Sequence, residues 1–125
     1  MSRLTLLNEW MTIMRFDDYQ AAAARTAIYP GAGTGEYPAL AYTALGLGEV
    51  GELQGKVKKV YRDDEGVITP ENRRAIMEEL GDVLWYAACM ARELGVSLGD
   101  VASNNLAKLS DRAARGQLQG SGDRR

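Results

Sequence analysis

Between Leu47 and Leu94, apolar residues recur at helical spacing on both sides of one short break, Asp63 to Ile68. Before the break the stripe is Leu47, Val50, Leu53, Val57 and Val60. After it, Ile76, Leu80, Val83, Leu84, Ala87, Met90, Ala91 and Leu94 share a face at about 100° per residue. Thr69, Pro70 and Glu71 supply an N-cap, a first-position proline and a first-turn acid, and Gly95 stands at the stop position. Two long helices joined by so short a loop fold back on each other. The pattern predicts an all-α chain, a helical bundle built on an antiparallel helix hairpin.

Each arm of that hairpin carries an acidic pair with i, i+3 spacing, Glu49 and Glu52 on the first, Glu79 and Asp82 on the second. On a helix such a pair projects from one side. With the first helix ending near Arg62 and the second opening at Pro70, Glu52 comes level with Glu79, and Glu49 with Asp82. The spacing alone is common in a chain with 17 acidic residues among 125; the matched heights carry the reading. Charges near 4 Å repel by roughly 1–4 kcal/mol at a partly hydrated site. A hard divalent cation, Mg²⁺ or Mn²⁺, relieves that cost. Glu79, Asp82 and Tyr86 also fall along one edge of the apolar face, where a metal cage needs them.

Composition narrows the chemistry. The chain has no histidine, which excludes Ser-His-Asp and Cys-His mechanisms and the Glu-x-x-His di-iron bundles. One cysteine, Cys89, cannot form an internal disulfide, is too few for an ordinary zinc site without histidine, and points to a reducing, cytoplasmic setting. A net charge of -2 argues against a broad surface for nucleic acid polymers. No apolar run approaches the roughly 20 residues of a membrane span.

Elsewhere the chain reads as support. Met1 to Ile13 is apolar enough to pack, with Leu4, Leu6, Leu7, Trp10 and Met11. A helix follows with Asp17 as N-cap, ending before Pro30. Pro30 to Pro38 is a glycine-rich loop without the Gly-Lys-Ser/Thr of a phosphate-binding loop. A second helix is expected over Ala39 to Tyr61, with Lys56 and Lys59 one or two turns past the acids. Trp85 and Ala88 lie opposite the apolar face of their helix, which predicts a subunit interface or a cover of N-terminal residues. Ser97 to Asp100 opens a last helix, whose apolar stripe contains Asn105, with Lys108 and Arg112 along one edge. From Gly116 the composition is that of a flexible tail.

Taken together, Tyr19-Gln20, Glu49-Val50-Gly51-Glu52, Glu79-Leu80-Gly81-Asp82 with Trp85-Tyr86, Asn105-Leu106-Ala107-Lys108-Leu109 and Gly120-Ser121-Gly122-Asp123 resemble the MazG family of all-α nucleoside triphosphate pyrophosphohydrolases, phage-type members included. The resemblance implies Mg²⁺-dependent hydrolysis of a nucleoside triphosphate to monophosphate and pyrophosphate by a homodimer or homotetramer. It divides the chain into an extension (1–15), a catalytic domain (16–116) and a Gly/Ser/Arg tail (117–125). By position it assigns Glu49, Glu52, Glu79 and Asp82 to the metal, and Tyr86, Asn105 and Lys108 to the substrate. Two positions depart from the pattern: Gly48 stands where a further Glu often precedes the first motif, and Arg124 where the tail often has Asn. In the implied reaction Glu52, or Glu49, is the base. Lys56, Lys59, Lys108 or Arg112 steadies the departing pyrophosphate, and Gln20 is a candidate contact for substrate recognition. The competing readings are a non-catalytic helical interaction module, which makes Trp85 a surface anchor, and a nucleotide sensor.

Overall fold

The computed structural model describes residues 14–116. Five helices follow in order: α1 (Phe16–Ala24), α2 (Tyr37–Gly46), α3 (Glu49–Asp64), α4 (Pro70–Glu93) and α5 (Leu98–Ala114). No strand occurs among the described residues, as an all-α chain requires. None of these helices is long and apolar enough to cross a membrane. The calls on Met1 to Ile13 and on the tail beyond Gly116 fall outside the described residues.

The fold is organised on α4, against which each of the other four helices packs. Its start follows from its sequence. Thr69 Oγ1 accepts from the Asn72 amide at 3.1 Å, and Asn72 Oδ1 accepts from the Thr69 amide at 2.9 Å. These two bonds satisfy donors that a helix end leaves unpaired. After α4, Gly95 takes φ +71, the left-handed value that ends helices.

Three sequence expectations are corrected. Asp17 does not cap its own helix, because α1 opens two residues earlier than expected, with Arg15 at the N-cap. Asp17 instead accepts from the Gly99 amide at 2.8 Å and secures the first turn of α5. The single helix expected over Ala39 to Tyr61 is two, α2 and α3, interrupted at Leu47-Gly48. Glycines at 46 and 48 weaken the helix there, and the chain turns through short bonds from Gly48 to Leu45, Val50 to Leu47 and Gly51 to Gly48.

The third correction concerns the two faces of α4. The buried residues are Ala88, Cys89, Ala91 and Glu93. Ala88 and Ala91 pack with Ala23 and Leu98, while Cys89 packs with Tyr29 and Ala39; partly buried Trp85 joins both clusters. The Trp85–Ala88 side is therefore the core of this protomer rather than a subunit interface, and α1 covers it. Small residues on both helices allow the close approach. Of the stripe expected to form the core, only Ala91 is buried, while Leu80 (55%), Leu84 (38%) and Leu94 (55%) are left exposed.

Candidate metal centre

The break at Leu47-Gly48 makes Glu49 the first residue of α3, and the hairpin brings it to Glu79 and Asp82 on α4. These three residues each offer a carboxylate oxygen, all within 4.8 Å of one another. Glu49 and Glu79 are half-buried and Asp82 is exposed. Partial burial, then the charges of Glu79, Asp82 and Glu52, push the Glu49 carboxyl above its ordinary 4.5, and it shares a hydrogen bond with Glu79. Crowding of this kind, built from hard oxygens, fits a divalent cation.

Of the four predicted ligands, the structure brings three together. Glu52 is exposed and stands one turn along α3, near enough for its charge to act on Glu49 but outside the close group. Lys56 is half-buried and Lys59 exposed; seven and ten residues past Glu49, they lie about 10 and 15 Å along the helix axis. Asn105 is exposed, Lys108 half-buried and Arg112 buried. They belong to α5, which packs on α1 and α4, and Lys108 and Arg112 both have partners within the chain. Gln20 braces the α4–α5 turn: its Nε2 donates to the Val96 carbonyl at 3.0 Å, and its Oε1 accepts from the Leu98 amide at 2.9 Å.

Tyr86 lies beside the acids. Burial and its hydroxyl neighbour Tyr42, then the charges of Glu49 and Asp82, raise its pKa. Its ring packs edge-on to Trp85 at 5.0 Å and tilted to Tyr42 at 6.4 Å. Glycine at 46 is what admits it, because a methyl group there would overlap the Tyr86 ring. Gly46→Ala should therefore cost about 1–3 kcal/mol, the usual penalty of overpacking. Urea unfolding would measure it, and an unchanged midpoint would contradict this packing.

Sequence reasoning passed over a buried acid, Glu93, 4% exposed. It accepts from the Tyr29 hydroxyl at 2.7 Å and from the Gly33 and Gly35 amides at 2.6 and 2.8 Å. It thereby pins the glycine-rich loop, and it positions Tyr29, which stacks on Tyr42 at 4.8 Å. One signal was available. An acid in the last turn of a helix opposes the negative end of the helix dipole, so Glu93 needed a partner elsewhere.

A family model for the MazG nucleotide pyrophosphohydrolase domain matches residues 39–116, a span that includes all three clustered carboxylates. The Gene 37 protein of Mycobacterium phage L5 is 54% identical over 114 residues, which covers 90% of this chain and 100% of that protein. No solved structure matches the chain.

Proposed function

The chain belongs to the MazG nucleotide pyrophosphohydrolase family, and from that premise we propose that it hydrolyses a nucleoside triphosphate to the monophosphate and pyrophosphate, with Mg²⁺ or Mn²⁺ as cofactor. The observation that supports this most is the convergence of Glu49, Glu79 and Asp82, the residues that would hold the cation. When bound, the cation neutralises phosphate oxygens and lowers the pKa of a water.

The remaining work falls to the chain. Glu52 stands outside the close group and exposed to solvent, so its carboxylate is available to take the proton of the attacking water. Tyr86, packed between Gly46, Tyr42 and Trp85, orients the substrate beside the acids. Lys56 leads from the acids along α3 and meets the phosphates that leave as pyrophosphate. The test is a panel of NTPs and dNTPs with Mg²⁺, read as pyrophosphate release. Turnover abolished by EDTA supports the reading. No turnover of any substrate, or tight binding without hydrolysis, rejects it.

The active form is a homodimer or homotetramer. Val60 is the only buried residue of α3, whereas Val50, Val57 and Tyr61 are exposed. On α4, Met77, Leu80, Gly81, Val83, Leu84 and Ala87 line an apolar groove of about 510 Å³. A second copy laid along this hairpin buries both surfaces, as continuous apolar patches of this kind require. Leu84→Lys should shift the protein toward monomer in sedimentation velocity. A wild-type protein that is already monomeric, or a variant that sediments like the parent, counts against the oligomer.

A further inference from the structure

Where α1 crosses α4 there is a cavity of about 320 Å³ lined by Met14, Tyr19, Ala22, Ala23, Thr26 and Trp85. That size lies at the lower end of the range for small-molecule sites. The walls are two aromatic rings, alanine methyls and a methionine. The Thr26 hydroxyl is already partnered, accepting from Trp85 Nε1 at 2.8 Å and donating to the Ala23 carbonyl at 2.9 Å.

Two residues of its wall, Trp85 and Tyr19, lead toward the carboxylates. Trp85 follows Asp82 by three residues on α4, about 4.5 Å along the axis. Its ring stands edge-on to Tyr86 at 5.0 Å, and Tyr86 lies within the field of Glu49 and Asp82. Tyr19 belongs to both places, lining the cavity and lying within electrostatic reach of Asp82.

We infer that this cavity seats the base of the nucleoside triphosphate, held by stacking and dispersion between Tyr19 and Trp85, and that it selects only weakly among bases. The inference rests on the hydrolase reading above, since the phosphates must lie at Glu49, Glu79 and Asp82 for the base to reach Trp85. The flat heteroaromatic end is the part of a nucleotide that an apolar, ring-walled space accommodates, and every base has a π-face to stack. Strong rejection of a wrong base, by roughly 10⁴-fold, needs polar groups that the wrong base leaves unpaired. With Thr26 partnered, the Tyr19 hydroxyl is the one polar tip that the wall offers among the described residues.

The experiment fills the cavity. Ala22→Leu places a branched side chain inside it. Met14→Trp fills it from the rim, where Met14 is 41% exposed, and serves if Ala22→Leu fails to fold. For wild type and both variants, KM and kcat are measured for the four dNTPs with Mg²⁺. Calorimetry gives Kd for their non-hydrolysable α,β-methylene analogues. The wild type should treat the four bases within about tenfold. The folded variants should raise KM and analogue Kd at least about tenfold for all four, with kcat little changed, as loss of uniform binding requires. If no dNTP is turned over and yet the analogues bind and the variants weaken them, the hydrolase reading fails and the base seat stands. Unchanged KM and Kd in the folded variants overturn the base seat, as they would if residues 1–13 filled the cavity. Discrimination above about a thousandfold among bases in the wild type overturns the weak selectivity.

Discussion

Glu79→Gln should lower turnover about 10²- to 10³-fold, the usual cost of removing one electrostatic stabiliser from an active site. The same substitution should raise the melting temperature of the protein in EDTA. Both effects have one cause. Glu49, Glu79 and Asp82 hold their oxygens within 4.8 Å of one another, which suits a cation and strains the protein without one. The pH dependence separates this from a generic surface effect. Glu49 has a folded pKa above its ordinary 4.5, so folding favours its protonated form. Its repulsion is absent below the unfolded value and full above the raised one. The metal-free protein should therefore lose stability as pH rises from 4.5 through the raised pKa of Glu49, and Glu79→Gln should flatten that decline. Mn²⁺ should restore stability in the wild type, because a ligand that binds only the folded state stabilises it. Thermal melts across pH, with and without Mn²⁺, would show it. A variant that melts below the wild type in EDTA would mean that the three acids are not under mutual strain.

Glu93→Ala should destabilise the protein by about 2–4 kcal/mol, since hydrogen bonds to a charged group are each worth about 1.5–3 kcal/mol and the Tyr29 hydroxyl would be left buried. The Gly33 and Gly35 amides and the Tyr29 hydroxyl all converge on this carboxylate. Its pH dependence runs opposite to that of Glu49. Burial pushes the Glu93 carboxyl up, but the Gly33 amide, the Tyr29 hydroxyl and the Gly35 amide outweigh burial and hold it below 4.5. That stabilisation is complete above the unfolded value and is lost as pH falls through the folded one. Wild type and variant should therefore differ most near neutral pH and converge in acid, as read by denaturant titration. Equal midpoints at pH 7 would mean that the loop does not depend on Glu93.

The hairpin was legible in the sequence because its signals agreed: a helical apolar period, a Thr-Pro start and a Gly stop. The acids on α4 were legible for the same reason, since nothing interrupts that helix between Pro70 and Glu93. Glu49 and Glu52 were less so. An i, i+3 pair shares a side of a helix but differs by about 60° and 4.5 Å of rise. Which member meets α4 depends on the phase of α3, and the break at Leu47-Gly48 resets that phase. Which apolar face of α4 turned inward was also hidden. Periodicity counts carbon, and it does not distinguish a face buried within one chain from a face left for another. Leu80 and Leu84 carry more carbon than Ala88, yet Ala88 takes the core because α1 can approach it closely. Glu93 escaped notice because its partners are two backbone amides and a tyrosine some 60 residues away in the chain, and no local pattern records such contacts.

The central claim is that Glu49, Glu79 and Asp82 act together on one divalent cation. It is tested most directly by titrating the protein with Mn²⁺ and following the electron paramagnetic resonance signal of the free ion. Wild type should deplete that signal saturably, and Glu49→Gln, Glu79→Gln and Asp82→Asn should each weaken binding by about tenfold or more, as disturbed metal sites do. Mn²⁺ that stays free with the wild type, or variants that bind it as tightly as the parent, would contradict the claim.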